Sequence, residues 1–363
     1  MLKRTGLLLL GLLMTVSLAA WAELTVEGQL LASADVTDPD PARDNGDYSL
    51  TGSRSWLGIY GEESLRAHLT AIWRVESYVD LGNGDRGNSR DAYVGLRMPL
   101  GTLQIGNQAT PYRLVSQGMD VFADTRGDFH AVIGSVGGEA IFDNRMRKLL
   151  LYQTPVIKGF QFSLAFSSGY RGNQSFTSGK AADQNAYSTG LVFDSGPLHV
   201  GLAYERLQDY VSSLPAFAGA GGRNAAATKL ALGWDFGQGT RLALLAEEAG
   251  NGVRLNGRNL SRQAYYANIA QIMGNTTLKA AFGWINQLDE SADSSAYHGS
   301  LGFSYAFSPR TEVYGLLSKT YNDGKAAYGL QADNDDQDFI LPLAGENATA
   351  VSIGLIHHFH KGL

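Results

Sequence analysis

The sequence predicts an all-β protein, a transmembrane antiparallel β-barrel of about sixteen strands. Three observations predict it. Apolar residues recur at every second position in one segment after another. The segments run roughly 9–12 residues, the span of a tilted transmembrane strand rather than of a soluble one. The links between them alternate between short and long.

The first residues stand apart from this pattern. Lys3 and Arg4 precede an apolar run over 7–13 with Met14, Val16 and Leu18, and Ala20-Trp21-Ala22 offers a small-x-small cleavage site before Glu23. That is how an export signal reads, and the run is short for a spanning helix. The expected division is a signal peptide over 1–22 and one barrel domain over 23–363. No later stretch reaches the roughly 18 uncharged apolar residues of a transmembrane helix, so the exported chain is either soluble or a barrel.

The strands follow from the period. Over 65–76 one face carries Leu65, Ala67, Leu69, Ala71, Trp73 and Val75, and the other Arg66, His68, Thr70, Ile72, Arg74 and Glu76. A 3.6-residue period would scramble that separation. Phe160, Phe162, Leu164 and Phe166 alternate with Gln161, Ser163, Ala165 and Ser167, and Leu198, Val200, Leu202 and Tyr204 with His199, Gly201, Ala203 and Glu205. The same alternation places Leu230, Leu232, Trp234 and Phe236 opposite Lys229, Ala231, Gly233 and Asp235. It returns at Leu278–Trp284 and at Leu301–Phe307. The polar faces mix Gly, Ala and Ser with charges, which suits a lumen more than a fully solvated outer surface.

Short links are expected near 61–64, 99–101, 155–158, 195–196, 237–239, 273–275 and 308–309. Long ones are expected over 34–48, 79–89, 109–146, 169–185, 207–225, 249–261, 287–294 and 321–347. Outer-membrane barrels have short periplasmic turns and longer extracellular loops, whereas a sandwich has no reason to sort loop length by parity.

Composition agrees and excludes other classes. Cysteine is absent, so the chain must be held together by something other than the disulfides open to a secreted protein, such as a closed hydrogen-bonded sheet. Setting aside Lys3 and Arg4 takes the basic count from 29 to 27 against 35 acidic residues, near −8, with no basic stripe for nucleic acid. Trp56, Trp73, Trp234, Trp284 and Tyr305 lie on or near strand ends and are candidates for aromatic girdles.

Four blocks resemble the Gram-negative porin family, the trimeric general diffusion porins. The first is Ser53-Arg54, Gly58, Gly61, Glu63, Leu65, Leu69, Ala71, Trp73 and Glu76. The second is Arg90, Ala92-Tyr93-Val94-Gly95-Leu96, Gly101-Thr102-Leu103, Gly106 and Gln108. Tyr152, Pro155 and Gly159-Phe160 form the third, and Gly354-Leu355, His357 and Phe359 the last. The order and spacing of the blocks are more specific than any one of them. The chain departs from the family at Arg66 and His68, where glycines are usual, at Asn107, where an arginine is common, and in continuing past Phe359. The resemblance implies a homotrimer in the outer membrane, embedded in its lipid, for passive diffusion of small hydrophilic solutes and ions. It implies no cofactor and no enzyme activity.

A plain sixteen-strand barrel would be too wide to sieve solutes. The resemblance identifies 109–146 as a third loop that folds inward, carrying Asp120, Asp124, Asp128 and Glu139. Opposed charges at a constriction orient polar solutes and bias ion charge. Period two puts Arg66 and Arg74 on the polar face, and the family pattern adds Arg54, Arg90 and Arg97. These arginines are the expected partners of the loop carboxylates. A channel selective for phosphate, a dicarboxylate or an oligosaccharide is the alternative, and a barrel enzyme is a more distant one. Charge preference stays open, because the net negative chain leans towards cations and the arginines towards anions. His357, His358 and His360 do not read as a metal site, since neighbours in a strand point to opposite faces.

Overall fold

The computed structural model describes residues 23–38, 47–52, 54–81, 86–170, 184–211, 221–330, 340 and 342–362. The export signal expected over 1–22 lies outside these residues. The chain winds up and down through β1 (Glu23–Asp38), β2 (Asp47–Thr51 continued by Ser55–Arg66), β3 (Leu69–Val79) and β4 (Arg86–Met98). Then follow β5 (Gly101–Ala109), β6 (Arg145–Gln153), β7 (Phe160–Ser168), β8 (Asn185–Ser195), β9 (Leu198–Val211) and β10 (Gly221–Gly237). The last six are β11 (Thr240–Asn251), β12 (Arg262–Met273), β13 (Thr276–Ile285), β14 (Ala296–Ser308), β15 (Thr311–Asn322) and β16 (Ala348–Gly362). Each strand pairs antiparallel with the next, and β16 returns to β1 from Thr25↔Gly362 to Asp38↔Thr349. The sheet is a closed barrel of 16 strands. Closure matters because a spanning sheet with an open edge would leave backbone N–H and C=O groups unpaired in hydrocarbon.

One turn falls elsewhere than the sequence suggests. The alternation over 65–76 belongs to two strands: β2 runs on to Arg66, and the hairpin turns at Ala67 and His68, with His68 left-handed at φ 67. Arg66 pairs with Leu69 after a register shift past Ser64. A two-residue turn alone would invert parity, but the register shift restores it, so the pattern crosses the turn unbroken. Several strands also outrun their expected ends. β1 reaches Asp38, β9 reaches Val211 and β10 starts at Gly221. Polar residues there still pair across the ladder, but beyond the apolar band they carry no alternation to read.

The outer face divides into two arcs. On β7–β15 the exposed side chains include Phe160, Tyr187, Tyr204, Trp234, Tyr265, Trp284, Tyr305 and Tyr321. On β16 and β1–β6 the exposed large hydrophobics are aliphatic, such as Leu30, Leu57, Ile59, Val75, Val94, Ile105, Ile353 and Leu355. The aromatics form belts at two heights. Near the short turns, Phe160 packs on Phe193 at 4.4 Å between ring centroids and Tyr305 on Phe307 at 5.2 Å. Near the long links, Phe166 meets Tyr187 at 5.2 Å, and Tyr265, Trp284 and Tyr297 line up at 5.8 and 6.4 Å. Amphipathic rings at two levels are what two membrane–water boundaries favour. Trp234, Trp284 and Tyr305 join these belts as expected. Trp73 instead lies against Gly61 on the aliphatic arc. Trp56 is a correction, because it faces the lumen with the Arg90 guanidinium 4.7 Å above its ring. Its parity in β2 puts it inside, and a lone tryptophan gives no hint of which face it takes.

Candidate pore constriction

The link from β5 to β6, residues 110–144, folds into the barrel. It opens with a short helix, Pro111–Leu114, whose first N–H groups are free for capping: Thr110 Oγ1 accepts from Arg113 N, and proline occupies the first turn at no cost in hydrogen bonds. Its apolar side chains then lie against the lumen wall. Tyr112, Val115, Val136, Ile141 and Phe142 pack with Leu149, Ala203 and Leu207, while Phe129, Val132 and Ile133 pack with Ala231, Ala243 and Ile285. Phe122 reaches Leu31, Tyr314 and Ile356 on the far side.

The wall accepts the loop because its inward positions are small. A Cβ added to Gly201 would stand 2.5 Å from Val115 O, and one added to Gly283 would stand 2.4 Å from Val132 Cγ2. The Gly and Ala residues that alternate along the lumen face of β8–β13 are therefore the bed on which the loop lies.

Buried charges fix it there. Arg262 donates from Nε to Ser135 O at 2.8 Å and from Nη2 to Val132 O at 2.9 Å, and pairs with Glu247 at 2.7 Å. Glu247 in turn accepts from Gly134 N at 2.9 Å and from the Tyr112 hydroxyl at 2.7 Å. Lys229 donates to Ser116 Oγ at 2.7 Å and forms an ion pair with Asp143. His130 sits between Asp128 at 2.6 Å and Asp143 at 3.4 Å. Burial works against a charged imidazole, but the two carboxylates outweigh it and hold His130 up at about 10. Burial also opposes ionisation of Asp143, yet Lys229 and His130 bring its carboxyl well below the usual range. Asp120 goes the other way: burial, reinforced by Asp128, raises it to about 8.

The four loop acids named from the sequence are largely occupied. Asp120 accepts from Phe122 N and Phe129 N, each at 2.9 Å. Asp128 is buried and accepts from His130 N at 2.9 Å and Asp124 N at 3.0 Å. Glu139 is buried. Asp124 reaches the wall, accepting from Gln29 Nε2 at 3.1 Å. The exposed residues on the loop's inner edge are Gln117, Gly118 and Ala123.

The loop lies along the wall from β7 round to β16 and touches β1 at Gln29, Leu31 and Asp35, so the passage lies against β2–β4. Arg74 bridges Glu27 and Glu76, Arg90 lies 3.4 Å from Glu76, and Arg97 pairs with Glu62 at 2.7 Å. Tyr60, Tyr78 and Trp56 hold the arginine faces, with Arg74 5.5 Å above Tyr60 and Arg90 5.6 Å above Tyr78. Arg54 is buried, near Tyr314 and Arg126. Arg66 is not brought to this group, because it ends β2 beside the His68 turn and is exposed there. Sequence reasoning passed over Glu27, Arg126, Arg145, Glu247 and Arg262. Arg126 returns from the loop to Asp35 at 3.3 Å, and Arg145 pairs with Asp91 at 2.7 Å. Inward parity in β11 and β12 was the available signal for Glu247 and Arg262.

Comparison with known proteins agrees with this geometry. The family model described as Gram-negative porin matches residues 10–325. An outer membrane porin protein of Bordetella pertussis is 29% identical over 339 residues, covering 85% of this chain and 82% of the relative. Outer membrane porin protein 32 of Delftia acidovorans is 28% identical over 369 residues, covering 94% and 99%. Among solved structures, an anion-selective porin from Comamonas acidovorans superposes with a TM-score of 0.75 at 21% identity, over 93% of this chain and all of that one. OmpT of Vibrio cholerae in a trimer form gives 0.66 at 15%, over 93% and 99%. With a closed sixteen-strand barrel, a loop folded into its lumen and these relatives, the chain belongs to the Gram-negative porin family and is an outer-membrane channel for passive diffusion.

Proposed function

We propose that the pore is a homotrimeric, non-enzymatic diffusion channel with a modest preference for anions, narrowed by the loop over 110–144 against Arg54, Arg74, Arg90 and Arg97. The export signal over 1–22 belongs to the same reading. One observation carries the charge preference. In the pairs that share Glu76 the guanidinium is the more exposed partner, Arg74 at 28% and Arg90 at 17% against 3% for Glu76, whereas in the neighbouring pair Asp91 at 20% exceeds Arg145 at 7%. Arg97 at 50% exceeds Glu62 at 41%. Asp120, Asp128 and Glu139, meanwhile, are spent on the loop or buried. Groups within a Debye length of the passing ion set its energy, so this local imbalance outweighs the net charge of the chain. The Comamonas relative in fold is described as anion-selective, in keeping with this reading.

The aliphatic arc on β16 and β1–β6 supports the trimer. A wall whose exposed large side chains are aliphatic, where its neighbours expose rings, is suited to another protein wall rather than to lipid headgroups.

Single-channel recording of refolded protein tests the whole reading. Steps closing in threes and an anion-signed reversal potential in a salt gradient are expected, with Arg74→Gln and Arg90→Gln each moving that potential towards cations. A cation-signed potential in the unaltered protein would refute the charge preference. Ala123→Trp, on the exposed inner edge, tests the constriction separately by lowering conductance.

A further inference from the structure

The link between β15 and β16 sends a limb into the barrel that diffusion through the pore does not itself require. Residues 323–330 leave the top of β15 and turn into the mouth. Asn322 fixes them: its Nδ2 donates to Tyr328 O at 2.9 Å and Glu346 O at 2.7 Å, and its Oδ1 accepts from Tyr328 N at 2.9 Å. Gly345 N donates to Ala326 O at 2.9 Å, and Lys325 N to Asp293 O at 2.7 Å. Ala326, Tyr328 and Leu330 are buried.

The underside of this limb meets the constriction loop. The Tyr328 ring packs with Phe129, Val132 and Ile133, and its hydroxyl accepts from Gly137 N at 3.0 Å. One residue on, Gly138 has φ +93, and an added Cβ would stand 2.2 Å from Ala327 O. The two backbones therefore touch at the return turn of the loop, where Ser135 pairs with Ala140 and Val136 with Glu139.

We propose that residues 323–330 form a strap and that Tyr328 is a positioning residue for the pore, fixing the return turn of the constriction loop from the extracellular side. Arg262, Glu247 and Lys229 hold the loop outward against the wall, whereas the strap holds the turn down from above. Loss of the Tyr328 hydroxyl leaves the Gly137 N–H buried without an acceptor, and the turn relieves that by rising towards the mouth. The loop then tilts into the passage, and the channel spends more time partly closed. The proposal rests on the reading that this loop narrows the pore.

Planar-bilayer recordings of Tyr328→Phe, Gly138→Ala, Ala123→Trp and, as a control on the outer face, Tyr321→Phe test it. Tyr328→Phe is expected to raise the time in subconductance states by about tenfold, which corresponds to 1.4 kcal/mol, with the fully open step unchanged. Gly138→Ala should do the same by pushing the strap from below, and Tyr321→Phe should do nothing. Heat-modifiable gel mobility shows that each barrel is folded. If Tyr328→Phe and Gly138→Ala stay open as steadily as the unaltered channel while Ala123→Trp lowers conductance, the strap is overturned and the pore reading stands. If Ala123→Trp is also without effect, both fall.

Discussion

Arg262→Met should loosen the constriction loop while leaving the barrel intact. The side chain is buried on β12, and three loop groups depend on it: Ser135 O, Val132 O and, through Glu247, the Gly134 N–H. Methionine fills most of the volume but removes every donor. Glu247 then remains buried as a carboxylate, still accepting from Gly134 N and the Tyr112 hydroxyl. Breaking a buried pair costs about 3–5 kcal/mol, and these two remaining donors place the loss near the low end. A loss of about 3 kcal/mol multiplies the population of displaced loop by on the order of 100. The strand ladders, which hold the barrel, are untouched. The assay is open-channel noise and subconductance dwell in a planar bilayer, with barrel melting followed in parallel. Noise should rise steeply while melting barely moves. Adding Glu247→Gln removes the orphaned charge and should recover most of the loss, so that the two substitutions are strongly non-additive. A single variant as quiet as the unaltered channel would refute the anchoring argument.

Two further outcomes follow from the bed and from the buried histidine. Gly201→Val should lower conductance, because its side chain meets Val115 O at a distance no contact tolerates and the loop must lift into the passage; unchanged conductance in a folded barrel would count against it. His130 is raised from its ordinary value to about 10, so its contribution is full below the unfolded value of 6.5 and is lost as pH rises through 10. Subconductance dwell should therefore increase above pH 10, and His130→Gln, neutral throughout, should show a loosened loop already at pH 7 and no such rise. A rise of equal size in His130→Gln assigns the alkaline change to another group.

The barrel was legible because lipid on one face and the lumen on the other force period two on every strand, whatever the loops do. The alternation at Phe160–Phe166 and Leu230–Phe236 is the direct imprint of lipid on one side. Hairpin geometry was less legible, since the register shift beside the turn at Ala67 and His68 restores parity and the turn contains no glycine or proline to mark it.

The loop's interior hid for a different reason. An Asp in a glycine-rich loop looks the same in sequence whether it faces water or caps its own backbone, and only local spacing distinguishes the two. Asp120 accepts from the N–H of Phe122, and Asp128 from that of His130, each two residues on. Aspartate side chains make such turns readily, and in both cases the next buried group is aromatic. A loop that must lie flat on an apolar wall has to satisfy its own N–H groups, because the wall offers them few acceptors. Its carboxylates are therefore drawn inward by the demand that brings the loop into the barrel. Charge at the passage then falls to side chains on the strands, whose backbone is already paired and whose ends are free to face the solute.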